Sequence, residues 1–257
     1  MAAAEALMVR KVGSGEHHVL CLHGWFGSGG GWGYWPEVAD RSRYTWWFPD
    51  MRGYGERMAE SGDFTMREYA ADVLALADDE GLDRFSIVGH SMGGKAGASL
   101  LAQAGPQRVR ALVGISPVAP APAPMDAEGE ALFFGAPDKD ENRRAIIDFT
   151  TGGRNSPAWV DDMVAFSRTH STPEAFKGAV QSWVRDDYLA EVGRPETPVA
   201  VIVGEHDPAL SAEAMRQSWL QIYPNAELIE LPACGHYAMH EAPVVLATYV
   251  EKFLADK

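Results

Sequence analysis

This 257-residue sequence predicts a doubly wound, mostly parallel α/β sheet with a helical insertion between two of its strands. Three observations carry that expectation. Short, nearly continuous apolar runs recur along the chain, each closing on a glycine, a proline or a brief polar turn. Longer stretches with apolar residues at helical spacing separate them. One segment, residues 117–198, breaks the alternation and offers no central strand.

The strand candidates are VLCL at 19–22, YTWWF at 44–48, FSIV at 85–88, ALVGI at 111–115, VAVIV at 199–203 and LIEL at 228–231. A parallel sheet covered on both faces asks for such runs, because neither side of a strand meets water. Between them, residues 65–81 place Tyr69, Val73, Leu74 and Leu76 at roughly helical spacing and stop at Gly81. Residues 91–104 are rich in Ala and Leu, and Pro106 ends them because its ring cannot continue a helix. Residues 211–223 begin with Ser211 as a candidate cap, and 243–255 open with a proline that a first helical turn accepts. Within 117–198, PVAPAPAP at 117–124 reads as a stiff extended linker, followed by helical pieces at 141–150, 157–168 and 173–185. The expected division is a core of residues 1–116 and 199–257 and a helical cap, 117–198, over the strand ends where functional groups of such sheets gather.

Thirty-six acidic side chains against 22 basic ones give a formal charge of −14. Nucleic acid and anionic membrane both need a basic footprint, so neither is an expected partner. No window of about 18 uninterrupted apolar residues occurs, which argues against a spanning helix. The opening MAAAEALMVRKVG lacks a basic stretch followed by a long apolar one, so no secretory leader is expected. Cys21 and Cys234 form no CxxC pair and lack a histidine cluster at ligand spacing; no metal site is predicted. A cytoplasmic protein with two free thiols is the expectation.

Gly89-His90-Ser91-Met92-Gly93 falls directly between a strand and a helix candidate. A tight turn there lifts the serine hydroxyl above the sheet edge and needs near-absent side chains two residues to each side. A serine is a poor nucleophile without a base, so a histidine and an orienting carboxylate must follow, acid first. Asp207 in GEHD, after the strand at 199–203, and His236 in PACGH, after the strand at 228–231, meet both conditions. Glu205 competes as the acid, and His206 and His240 compete as the base. Asp50 also follows a strand end, but Arg52 two residues on suggests a structural ion pair. An oxyanion needs two donors: the Met92 N–H, and one from His23-Gly24-Trp25-Phe26-Gly27-Ser28, with Trp25 preferred and Phe26 as the fallback. Phe26, Phe133, Phe134, Trp159 and Trp183, with Phe166 and Phe176, are candidates to surround an acyl group, although ordinary core packing accounts for many lid aromatics. Lys95, one turn past Ser91, is expected at the surface or against the cap.

HGWFGS at 23–28, DMRGYGE at 50–56, GHSMGGK at 89–95, GEHD at 204–207 and CGHYAMHEAP at 234–243 span nearly the whole chain in one order. In that set the sequence resembles the α/β-hydrolase superfamily, and HGWFGS followed by GHSMGGK is similar to its carboxylesterase branch of small capped hydrolases. The resemblance implies a fold of about eight strands, a helical cap, a Ser–Asp–His triad and no cofactor. Ser91 stands where haloalkane dehalogenases and epoxide hydrolases carry aspartate, which argues against those chemistries. Gly-His-Ser departs from the Gly-Phe-Ser of perhydrolases, and Glu56-Arg57 stands where many relatives place a small serine. The implied activity is serine-dependent cleavage of carboxylic esters. Lactone hydrolysis, carbon–carbon bond hydrolysis with the same triad, and a ligand receptor that keeps the fold are the alternatives.

Overall fold

In a computed structural model, which describes residues 9–193 and 196–257, β4 (Phe85–His90) is buried along its whole length near the middle of a seven-stranded sheet. The eight opening residues, on which the absence of a leader was read, lie outside the described residues. The other strands are β1 (Arg10–Gly13), β2 (His17–Leu22), β3 (Tyr44–Phe48), β5 (Val109–Ile115), β6 (Val199–Gly204) and β7 (Glu227–Leu231), and the order across the sheet is β1-β3-β2-β4-β5-β6-β7. All neighbours pair in parallel except β1 with β3. The doubly wound sheet read from the apolar runs is therefore present, with seven strands among the described residues against the eight implied by the resemblance.

The strand absent from the sequence reading is β1. Its RKVG carries no apolar run because it is a half-exposed edge, where Arg10 and Lys11 lie over the rings of Phe48 and Trp47. Charged residues on an edge protect it from pairing with another chain, and they also hide it from a search for apolar runs.

Helices α2 (Met66–Asp79) and α3 (Met92–Ala104) follow β3 and β4, and α12 (Pro243–Leu254) closes the chain. Short α1 (Trp35–Val38) and α11 (Ala238–Glu241) were not anticipated. The helix expected over 211–223 is broken into α9 (Ala212–Gln217) and α10 (Trp219–Ile222). Ser218 leaves the helical region at φ −124°, ψ −82°, and its hydroxyl donates back to the Ala214 carbonyl. The break turns Trp219 inward, where its indole N–H donates to the Pro117 carbonyl.

Between the adjacent strands β5 and β6 lies the helical insertion: α4 (Ala127–Gly135), α5 (Asp140–Thr150), α6 (Pro157–Thr169), α7 (Pro173–Arg185) and α8 (Leu189–Val192). Asp126, Ser156 and Thr172 each accept the third N–H of the helix they open, and proline occupies the first turn of α6 and α7. Helix α4 was not expected; it buries no residue fully, so its apolar pattern lacks a core-facing stripe. Residues 117–125 form no regular element and run as an extended strap from β5 toward α4.

Because the sheet order reverses between β2 and β4, the loop after β2 and the turn after β4 face each other at the carboxyl ends of the strands. No helix among the described residues is long and apolar enough to cross a membrane, and those residues hold no group of three metal-ligating side chains.

Candidate active site

Ser91 begins α3 with φ +54° and ψ −118°, a conformation few non-glycine residues adopt. Its N–H donates to the Ile115 carbonyl on β5, and its carbonyl accepts from Gly94 and Val118, which locks the turn. The flanking glycines have a steric cause. A Cβ on Gly89 would sit 2.2 Å from the Gly93 carbonyl oxygen, and one on Gly93 would sit 2.2 Å from that of Leu22. Gly93→Ala is therefore expected to destabilise the fold by about 1–3 kcal/mol or more, read as a lower denaturation midpoint in urea at unchanged m.

The histidine and its carboxylate come from two loops that pack against each other without side chains between them. A Cβ on Gly204 would meet the Gly235 carbonyl oxygen at 2.2 Å, and the His206 and Glu205 amides donate to Cys234 and Leu231. This approach brings His236 Nδ1 to 2.7 Å from Asp207 Oδ2. The Nδ1 proton is donated to the carboxylate, so Nε2 is left as the free acceptor. Asp207 Oδ1 takes the N–H groups of Ala209 and Leu210 at 3.1 and 3.0 Å. Burial opposes ionisation of Asp207, but His236, through charge and hydrogen bond, and the Leu210 N–H outweigh it and hold the carboxyl below its usual range. A depressed folded-state pKa stabilises the fold above about pH 3.9, and that contribution is lost as pH falls through the folded value.

His236 is held from both sides: its N–H donates to Thr150 on α5, and its carbonyl accepts the Nε2–H of His90 at 3.0 Å. Burial pushes His90 well below the ordinary imidazole value, and the neighbouring His236 adds to the shift, so His90 stays neutral. His23 is likewise buried and neutral. Its Nδ1–H donates to Gly24 and its Nε2 accepts the Met51 N–H at 3.1 Å, pinning the loop after β2 to the loop after β3. A Cβ on Gly24 would come within 3.2 Å of Ser91 Cβ, so this loop lies directly beside the serine. Met92 opens α3, where first-turn N–H groups have no intrahelical acceptor. Trp25 sits inside the turn closed by the Gly27 N–H on Gly24, and its indole N–H is engaged elsewhere, donating to Phe176 at 2.8 Å.

The competing residues have other work. Glu205 accepts the Ala233 N–H, and His206 lies half-exposed against Glu205. His240 packs between Gly31 and Trp159. Asp50 corrects the expected ion pair: it accepts the amides of Gly29 and Glu56, while Arg52 pairs with Asp72. Arg57 is buried and reaches Asp72 and Glu60, so it joins Arg52 in a structural ion-pair network, while Glu56 is exposed.

Ser91 and His236 line one cavity of about 740 Å³. The Ser91 hydroxyl does not hydrogen-bond His236 in this structure; contacts of a nucleophile with its base are commonly long before substrate binds. Trp25, Phe26, Phe133 and Trp183 form the aromatic wall, with ring centroids 4.9–6.2 Å apart. Four aromatic candidates lie elsewhere. Phe134 faces outward beneath Arg185, because on α4 it follows Phe133 by about 100° of rotation. Trp159 packs on Tyr237 and His240 rather than on the cavity. Phe176 stacks behind Trp25 at 4.2 Å, and Phe166 stacks on His170. Sequence reasoning missed other lining residues, among them Ala119 and Pro122–Pro124 of the strap, Phe149, Leu210, Met215 and Tyr237. Among the described residues, no aspartate, glutamate, lysine or arginine lines this cavity.

A family profile described as alpha/beta hydrolase fold matches residues 17–243. The chain belongs to the α/β-hydrolase family. Among curated members, it is 30% identical over 79% of its length to the dihydrolipoyllysine-residue acetyltransferase component of the acetoin cleaving system of Cupriavidus necator. It spans only 56% of that relative, and 61% of the protein of the same name from Pseudomonas putida. It is also 30% identical to 2-hydroxy-6-oxononadienedioate/2-hydroxy-6-oxononatrienedioate hydrolase 1 of Dechloromonas aromatica, over 89% of this chain and 83% of that one. Among solved structures, an esterase from Exiguobacterium antarcticum superposes with a TM-score of 0.83 at 18% identity, over 96% of this α/β hydrolase and 94% of the esterase. That likeness is one of fold.

Proposed function

We propose that this α/β hydrolase cleaves neutral carboxylic esters through a serine acyl-enzyme. The observation that carries the reading is the shared cavity: Ser91 at its strained turn and His236, already paired with Asp207, open onto one apolar chamber. Ser91 Oγ attacks the ester carbonyl as His236 Nε2 takes its proton, and Asp207 stabilises the imidazolium. The Met92 and Trp25 amides receive the oxyanion at the positive end of α3. His236 returns the proton to the leaving alkoxide, and water, activated by the same imidazole, then releases the acid. The helical insertion acts as the lid, with Phe133, Trp183 and the strap holding the acyl chain.

The relative from Dechloromonas aromatica is named for dicarboxylates. A buried carboxylate needs a cation partner, and the cavity wall offers neither lysine nor arginine among the described residues, which favours an uncharged substrate. The test is a series of 4-nitrophenyl esters from acetate to decanoate, with dicarboxylic half-esters of matched length, an acyl-homoserine lactone and Ser91→Ala as blank. Multiple turnover is expected on neutral esters, with kcat/KM exceeding that of the matched half-esters by about 10²-fold. Preference for the half-esters would overturn the reading, and lactones turned over faster than every open-chain ester would move it to lactone hydrolysis.

A further inference from the structure

Lys95 lies one turn beyond Ser91 on α3 and is fully buried; of the two expected places, surface or against the helical insertion, it takes the second. Its Nζ donates to three main-chain carbonyls: Ala121 at 3.1 Å, Trp183 at 3.1 Å and Asp186 at 2.5 Å. An ammonium has three protons, and here each has an acceptor. Ala121 belongs to the strap. Trp183 and Asp186 belong to the carboxyl end of α7, where exposed carbonyls favour a cation. Two further strap bonds flank the ammonium, one to α7 from the Ala123 N–H to Val184 and one to the α7–α8 connection from the Tyr188 N–H to Pro120.

The charged and titratable groups facing Lys95 do not replace these bonds. The Asp186 carboxylate is taken by the hydroxyls of Ser182 and Tyr188, and Asp187 acts only through space. The Tyr188 ring lies 5.3 Å from Nζ, and Arg67 of α2 lies over the same ring and pairs with Glu191 of α8. One side chain on the helix behind the nucleophile thus joins the two segments that supply much of the cavity wall: the strap with Ala119, Pro122 and Ala123, and α7 with Trp183.

We propose that Lys95 is a positioning residue that fixes the shape of the acyl cavity by fastening the strap and the end of α7 to the helix carrying Ser91. Its kinetic consequences rest on the ester-hydrolase reading; its structural consequence does not. In Lys95→Met, hydrogen exchange at the Ala123 and Tyr188 amides is expected to rise about tenfold or more while the amides of β4 and β5 stay protected. KM for a long acyl ester should rise about tenfold, and kcat on the acetyl ester should stay within about threefold, because the reacting groups are untouched. Lys95→Arg, which keeps a charged donor, should recover part of the protection.

The unaltered protein provides a second measurement. Burial pulls Lys95 down to about 8, and a neutral amine offers two protons to three carbonyls. Exchange at these two amides, corrected for intrinsic base catalysis, should therefore accelerate above about pH 8. This group's contribution to global stability runs the other way, because between pH 8 and about 10.4 the unfolded chain binds more protons and folding gains as pH rises. Strap amides that keep their protection in folded Lys95→Met would overturn the proposal. If esters are cleaved but Lys95→Met keeps the acyl-length profile, Lys95 does not shape the cavity. If no ester is cleaved while the exchange result holds, the ester reading fails and the positioning role stands.

Discussion

Ser91→Ala is expected to lower kcat on a 4-nitrophenyl ester by about 10⁴–10⁶-fold, with the unfolding midpoint little changed. The companion variant Ser91→Gly should be equally inactive yet more stable than the parent, by about 1 kcal/mol. Glycine relieves a φ of +54°, worth about 1–3 kcal/mol at such positions, and gives back about 0.5–1 kcal/mol in chain entropy. Activity measured beside thermal denaturation checks both. An inactive glycine variant that is also less stable would mean that the turn is not strained for the sake of the serine. Adding His236→Ala to Ser91→Ala should cost little more, because residues that act as one unit do not add.

Asp207→Asn is expected to reduce kcat by about 10⁴-fold while the cavity keeps its shape. The carboxylate accepts the Nδ1 proton of His236 and so leaves Nε2 as the acceptor that the proposed mechanism uses. An amide in its place can present an N–H to Nδ1, which moves the proton to Nε2 and removes the acceptor that Ser91 needs. Glu205→Gln, two residues away, is the control. Glu205 accepts only the Ala233 N–H at the surface, so kcat/KM should stay within about threefold. Equal losses in the two variants would reassign the acid.

The strands of the parallel sheet and the strand-end positions of Ser91, Asp207 and His236 could be read from the sequence because each is forced by short-range sterics or by full burial. Gly89 and Gly93 must be glycine where a Cβ would strike a carbonyl, and the strands around them meet no water on either face. Asp207 and His236 could be read because each follows an apolar strand in a short loop. What stayed hidden depends on contacts distant in sequence. Strand β1 is an edge held by rings of β3, Ser218 breaks a helix to bring Trp219 beneath Pro117, and Phe133 and Phe134 part ways because adjacent helical residues point apart. Lys95 gave no local sign of burial; its three acceptors come from residues 26, 88 and 91 positions away. The Asp50–Arg52 pairing failed because proximity along the chain competed with Asp72, which α2 brings alongside.

A cavity wall without lysine or arginine among the described residues also bears on how the proposed cycle ends. Under the proposed ester hydrolysis, the substrate enters such a chamber as a neutral molecule and gives up little hydration. The acid it becomes is ionised at neutral pH, and a carboxylate there finds no lysine or arginine on the surrounding wall among the described residues. Outside, a surface with a net charge of −14 repels it further. On that proposal, the same lining that suits the substrate makes the product an unwelcome guest, and the change of charge created by hydrolysis gives the cycle its direction out of the site.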